Sequence, residues 1–201
     1  MSARPWDADR VTRAAAPAPR DPFVAAWIAI VVDLPLFTVI GGAAAFLGAQ
    51  VWEVLTDASP ATRTTLDRTE SAVVTAWAFI VVLGIAVVAH TVGRWLHERT
   101  AEAPPRRAAA AFAAMGGALS LIPSAVIVAR SGEPASLVFV AVALVVPCAL
   151  VAGLTRMLLP RVAGSEKAVT GLAIVAVLCV LLAIAVLAIT WIALPELAIA
   201  D

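Results

Sequence analysis

Five long apolar stretches divide this chain, at about residues 23–50, 71–91, 107–128, 134–159 and 167–194, with polar residues gathered between them. A helix needs about 20 predominantly apolar residues to cross the hydrocarbon core of a bilayer, and each stretch meets that length. The pattern predicts an all-α integral membrane protein: a bundle of five transmembrane helices forming one domain over residues 23–194.

The polar segments set the boundaries. Residues 1–22 carry four Arg, three Asp and four Pro, a composition that predicts a disordered tail. Asp21-Pro22 reads as a helix start, with Asp as N-cap and Pro at the first helical position. Residues 51–70 read as the longest loop. The second span is expected to continue as a polar helix through Glu102 until Pro104-Pro105 stops it. Arg130-Ser131-Gly132-Glu133 reads as a tight turn, with Pro134 opening the fourth span. Pro195 is expected to end the fifth, leaving a short external tail over residues 195–201.

Basic residues fall on alternate sides. Arg4, Arg10, Arg13 and Arg20 lie before span one, Arg94, Arg99, Arg106 and Arg107 between spans two and three, and Arg156, Arg161 and Lys167 between spans four and five. The other side holds only Arg63, Arg68 and Arg130. Eleven against three predicts a cytoplasmic N-terminus and an external C-terminus. Trp27 and Trp95 fall near the inner boundary and Trp52 and Trp191 near the outer one, as an aromatic belt requires. A cleaved signal peptide is the competing account of span one, but Asp33 and Pro35 interrupt its apolar run. Two short likenesses, Ile40-Gly41-Gly42-Ala43 with Met115-Gly116-Gly117-Ala118 and Gly93-Arg94-Trp95-Leu96 with Thr155-Arg156-Met157-Leu158, fit a duplicated hairpin or chance in Ala-rich helices.

Composition narrows the class. The 201 residues are 62% hydrophobic with zero formal net charge, and mean hydropathy is +0.99. A soluble core has no room for that much apolar surface. Zero net charge argues against a nucleic-acid partner; the bilayer is the expected one, together with a second copy or another membrane protein. Ala occurs 46 times and Arg outnumbers Lys 13 to 1, which points to a high-GC bacterial gene and so to a bacterial plasma membrane. Cys148 and Cys179 lie inside apolar stretches as small core residues.

Asp33 carries the most information. It sits about 15 Å into span one at 1.5 Å per residue, near mid-membrane. An acid at a helix centre costs about 2.5–3.5 kcal/mol on the insertion scale, so it should face the bundle interior. It is either a proton or cation site or a hydrogen-bonded residue that fixes helix register. Ser120 and Pro147 lie at similar depth; Pro147 leaves the carbonyl of Ala143 without its helical donor, which makes that carbonyl and Ser120 the expected partners of Asp33. For close packing, Gly116, Ser120 and Ser124 recur every four residues in span three, Gly117 continues a neighbouring stripe, and Gly41 and Ala45 in span one offer a matching surface. These stripes predict a central place for span three. Span five, almost wholly Val, Leu, Ile and Ala, reads as a lipid-facing outer helix.

His90, Arg94 and His97 share a face below span two and read as a solvated cytoplasmic helix near anionic head groups. His97-Glu98-Arg99-Thr100-Ala101 begins like a zinc-protease helix but has Ala where the second His must stand. No complete motif for catalysis, a cofactor or a metal is present. The expectation is a non-enzymatic structural, assembly or regulatory membrane component; the alternative is a small proton- or cation-coupled transporter or channel subunit using Asp33.

Overall fold

The computed structural model describes residues 21–56, 60–133 and 136–199, which are helical apart from short turns and contain no strand. Most of the expected N-terminal tail, and Pro134, lie outside the described residues. Five helices are long and apolar enough to cross a membrane: Pro22–Trp52, Asp67–Arg99, Pro105–Ser131, Ser136–Ala163 and Glu166–Trp191.

Helix α1 is Pro22–Thr56. Asp21 caps it: its Oδ1 accepts from the Phe23 amide at 2.8 Å, with Pro22 at the position that needs no donor. Helix α2 begins with Pro60–Phe79, passes through two π-helical turns at Ile80–Gly84 and Ala89–Gly93, and finishes with Arg94–Arg99. Helix α3 is Pro105–Ser131 and starts on its proline. Helix α4 comprises Ser136–Val140, a π-helical turn at Ala141–Val145, and Val146–Ala163. Helix α5 is Glu166–Ile199.

Two boundaries differ from the sequence expectation. Residues 51–70 are helical except for 57–59, outside the described residues, so the polar Thr-rich segment extends two helices rather than forming a long loop. Side-chain hydroxyls fold back onto the helix: Thr69 Oγ1 donates to the Thr65 carbonyl at 2.8 Å, so these residues do not break it. Helix α5 continues past Pro195 to Ile199. The turn between α3 and α4 does form at Gly132, whose φ of 70° favours a residue without Cβ. Ser136 Oγ donates to the Glu133 carbonyl at 2.6 Å and closes that turn.

Helices α1 and α4, not α3, form the centre: α4 packs against all four other helices, and α1 against α2, α4 and α5. Helix α3 packs mainly on α4. The small-residue stripes of α3 cover one neighbour closely instead of several, and that is why they do not make it central. One apolar cluster joins Ile30, Leu34 and Phe37 of α1 to Ala78 and Val81 of α2 and Val151 of α4. A second, toward the other end, joins Trp52, Val73, Ile127, Phe139, Val140 and Leu144. Trp52 is therefore a core residue, edge-on to Phe139 at 6.0 Å, rather than part of a belt. Trp27, Trp95 and Trp191 are exposed.

Helix α5 touches the bundle through Ala176, Cys179 and Ala183 and exposes Leu178, Leu181 and Leu182. Exchanging those three leucines for Ile or Val is expected to shift stability by no more than about 0.5 kcal/mol, as surface changes do. Ala183→Leu, at a fully buried position, is expected to cost more through overpacking. Denaturant unfolding in detergent measures both; a larger loss at Leu181 than at Ala183 would reverse the assigned face.

Candidate functional site

The one acid in the middle of α1 stands at the bottom of a cleft between α1, α2, α3 and α4 at one end of the bundle. Small residues create the space: Ala25 and Ala29 on α1, Ala89 and Gly93 on α2, and Ala152 on α4 line it. The π-helical turn at Ala89–Gly93 widens α2 where these two small residues face the cleft. The cleft leaves about 40 Å³ of space for water centres, room for about three waters at 10–15 Å³ each.

Asp33 is bonded across the bundle. Thr155 Oγ1 of α4 donates to Asp33 Oδ1 at 2.5 Å. Thr155 is buried, at 3% exposure. The two expected partners are placed otherwise. Ser120 Oγ donates to the carbonyl of Gly117 at 2.7 Å, within its own helix. The π-helical turn Ala141–Val145 ends two residues before Pro147, with the Val146 amide donating five residues back to Ala141. That wide turn is how α4 accommodates a proline with no donor. Pro147 is fully buried, and the described contacts of Asp33 run to Thr155 instead.

The next residue, Arg156, turns the cleft cationic toward its mouth. Its Nη1 lies 3.3 Å from Nδ1 of His97 on α2. A guanidinium can only donate, so Nδ1 accepts and the imidazole proton sits on Nε2. The Arg156 guanidinium also stands 5.6 Å from the Phe112 ring centre on α3. Arg94 completes the mouth from α2, with its guanidinium 5.8 Å from the Phe23 ring centre. His97 is only 7% exposed, so the lower part of α2 is not a uniformly solvated helix. His90 packs against the rings of Phe23 and Trp27 at 5.4 and 4.9 Å. Among the described residues no three metal-ligating side chains gather.

The packing candidates fall at separate interfaces. A Cβ on Gly116 would lie 2.5 Å from the Cys148 carbonyl oxygen and 2.9 Å from Ala152 Cβ, so α3 and α4 meet backbone to backbone there. From the other side, a Cβ on Gly153 would lie 3.2 Å from Ala113 Cβ. Gly117 is looser, 3.5 Å from Ala149 Cβ on the same test. Ser120 and Ser124 are buried, and Ser124 Oγ donates to the Ser120 carbonyl at 2.7 Å. Gly41 accommodates the Trp77 ring of α2, whose Nε1 would come within 3.0 Å of a Cβ. Ala45 packs against the cluster around Trp52 and Phe139.

Sequence reasoning missed Thr155, Arg156 and His97 as partners of one cleft. In the sequence Arg156 reads as a loop charge, yet α4 runs on to Ala163. The available signal was its position, seven residues inside that helix, directly after a threonine. Comparison with protein-family models, with curated proteins and with solved structures finds no match to this chain.

Proposed function

We propose that the chain is a small non-enzymatic protein of a bacterial plasma membrane, a transporter or channel subunit in which Asp33 binds and releases a proton or small cation. One observation supports this: the acid's partner is a side chain at the end of a cleft that reaches it from one end of the bundle, not a backbone carbonyl in a dry core. Water in such a cleft gives a proton a route to the carboxyl group. The space suits water or a bare small cation and is too small for an organic solute. In the proposed topology the N-terminus is cytoplasmic, the C-terminus is external and the cleft opens inward. A reporter fused at the C-terminus is expected to be active only outside; cytoplasmic activity would reverse the topology and the direction of the cleft.

A second observation favours a structural or regulatory role. Outward of Asp33 the buried residues are apolar, among them Leu34, Phe37, Val81 and Val151. In that case the Asp33–Thr155 bond is a clamp between α1 and α4. The protein then acts as an assembly component, with a second copy or another membrane protein as its partner. Reconstitution into liposomes with an imposed pH or Na⁺ gradient separates the two. Dissipation that requires Asp33 supports coupling; an unchanged gradient at all protein loads overturns it.

A further inference from the structure

We infer that the mouth of the inner cleft is a binding site for the phosphate of an anionic phospholipid, held by Arg94 and Arg156. The inference is independent of whether Asp33 carries protons. Both arginines line the same cleft from different helices, and in both the Nε atom is buried with no hydrogen-bond acceptor among the described residues. Arg156 spends one Nη on His97; the Arg94 guanidinium has the Phe23 ring centre 5.8 Å away. A guanidinium carries five donors in a planar fork, and desolvated donors demand an acceptor. A phosphate diester, anionic and rich in acceptor oxygens, matches two such forks lining one cleft.

Among the described residues, the carboxylates nearby do not answer this demand. Asp33 lies deeper and is engaged by Thr155. Asp21, at the rim, accepts from the Phe23 amide as a helix cap. Glu98 is exposed.

The level of the site selects a lipid over free phosphate as source. Arg94 is five residues before the end of α2 at Arg99, and Arg156 seven before the end of α4 at Ala163. These spacings correspond to about 8 and 10 Å along a helix. Exposed Phe23 lies against Arg94 with exposed Trp27 beside it, and aromatic rings of this kind settle at head-group level. Basic pockets between helices at that level hold anionic head groups.

The test uses the full chain purified in a neutral detergent. Phosphatidylglycerol, phosphatidylcholine or inorganic phosphate is added, and retained lipid is counted by native mass spectrometry alongside the melting midpoint. Retention of phosphatidylglycerol with a raised midpoint is expected, with neither effect from phosphatidylcholine. The Arg94→Gln/Arg156→Gln double variant is expected to lose retention at least about tenfold, since each charge-assisted hydrogen bond contributes more than a factor of ten. Arg130→Gln, at the exposed far turn, is expected to retain lipid like the parent. Equal retention of both lipids by the parent overturns the proposal, as does undiminished retention by the double variant. A midpoint shift from inorganic phosphate equal to that from phosphatidylglycerol overturns the lipid assignment. If the double variant does not fold, Arg94→Lys takes its place: it keeps the charge but loses the fork, and parent-like retention there overturns the proposal.

Discussion

Asp33→Asn is expected to leave folding intact and to abolish gradient dissipation in liposomes, while Asp33→Leu weakens the bundle. The amide oxygen of Asn replaces Oδ1 as acceptor for the Thr155 hydroxyl, so the bond between α1 and α4 survives. An amide does not titrate, so any step that loads a proton on this side chain is lost. Leu removes the acceptor, and interhelical hydrogen bonds of this kind contribute about 0.6 kcal/mol on average and about 1.7 at most. Thr155→Val removes the donor instead. Combined with Asp33→Leu it is expected to add little, because both changes delete one bond. Denaturant unfolding of the four proteins gives the coupling, and a pH-sensitive dye inside the liposomes gives the flux. Additive losses from Asp33→Leu and Thr155→Val would show that the pair is not coupled. An Asn variant that still dissipates the gradient would make Asp33 a clamp and nothing more.

Gly116→Leu is expected to destabilise the protein by about 1–3 kcal/mol or more, the cost of inserting bulk into a packed interface. The reason is geometric. A Cβ here would already stand 2.5 Å from the Cys148 carbonyl oxygen, and a backbone atom has no rotamer with which to escape. Gly116→Ala alone is expected to force α3 away from α4. Gly117→Ala, with its Cβ at 3.5 Å from Ala149 Cβ, meets ordinary van der Waals contact and is expected to be close to neutral. Melting midpoints of the two alanine variants in the same detergent decide the matter. If Gly117→Ala proved the more damaging, the α3–α4 contact would be rotated by one residue, about 100°.

That pair shows what a sequence can and cannot reveal. Small residues every four positions predict a close helix contact, because spacing alone places them on one face. Which of two adjacent glycines faces the neighbour depends on helix rotation, and Ala-rich α3 offers small residues on several faces, so no pattern singles out one. Asp33 was legible because a lone acid in an apolar run must find a partner. The partner was not, since Thr155 sits far along the chain and Ser120, at similar depth, bonds within its own helix instead. The five spans were plain because hydropathy integrates over whole segments. The extra helical turns over residues 51–56 and 60–70 were not, because a polar amphiphilic stretch resembles a loop when hydropathy is the measure.

The wide turns at Ile80–Gly84 and Ala89–Gly93 carry a consequence for the chain as a screw. Each takes up one more residue than an α-turn for the same advance. Everything beyond Gly93 is thus set back in phase, by about 100° for each extra residue, from where an unbroken α-helix would carry it. That offset brings Arg94 and His97 round to the cleft. Residue 97 cannot be assigned a side of α2 by counting from residue 70, whatever period is used. A single residue removed within Ala89–Gly93 tightens the wide turn and leaves the lower helix aimed as before, whereas the same removal in the regular turns near Val73 rotates every side chain below it.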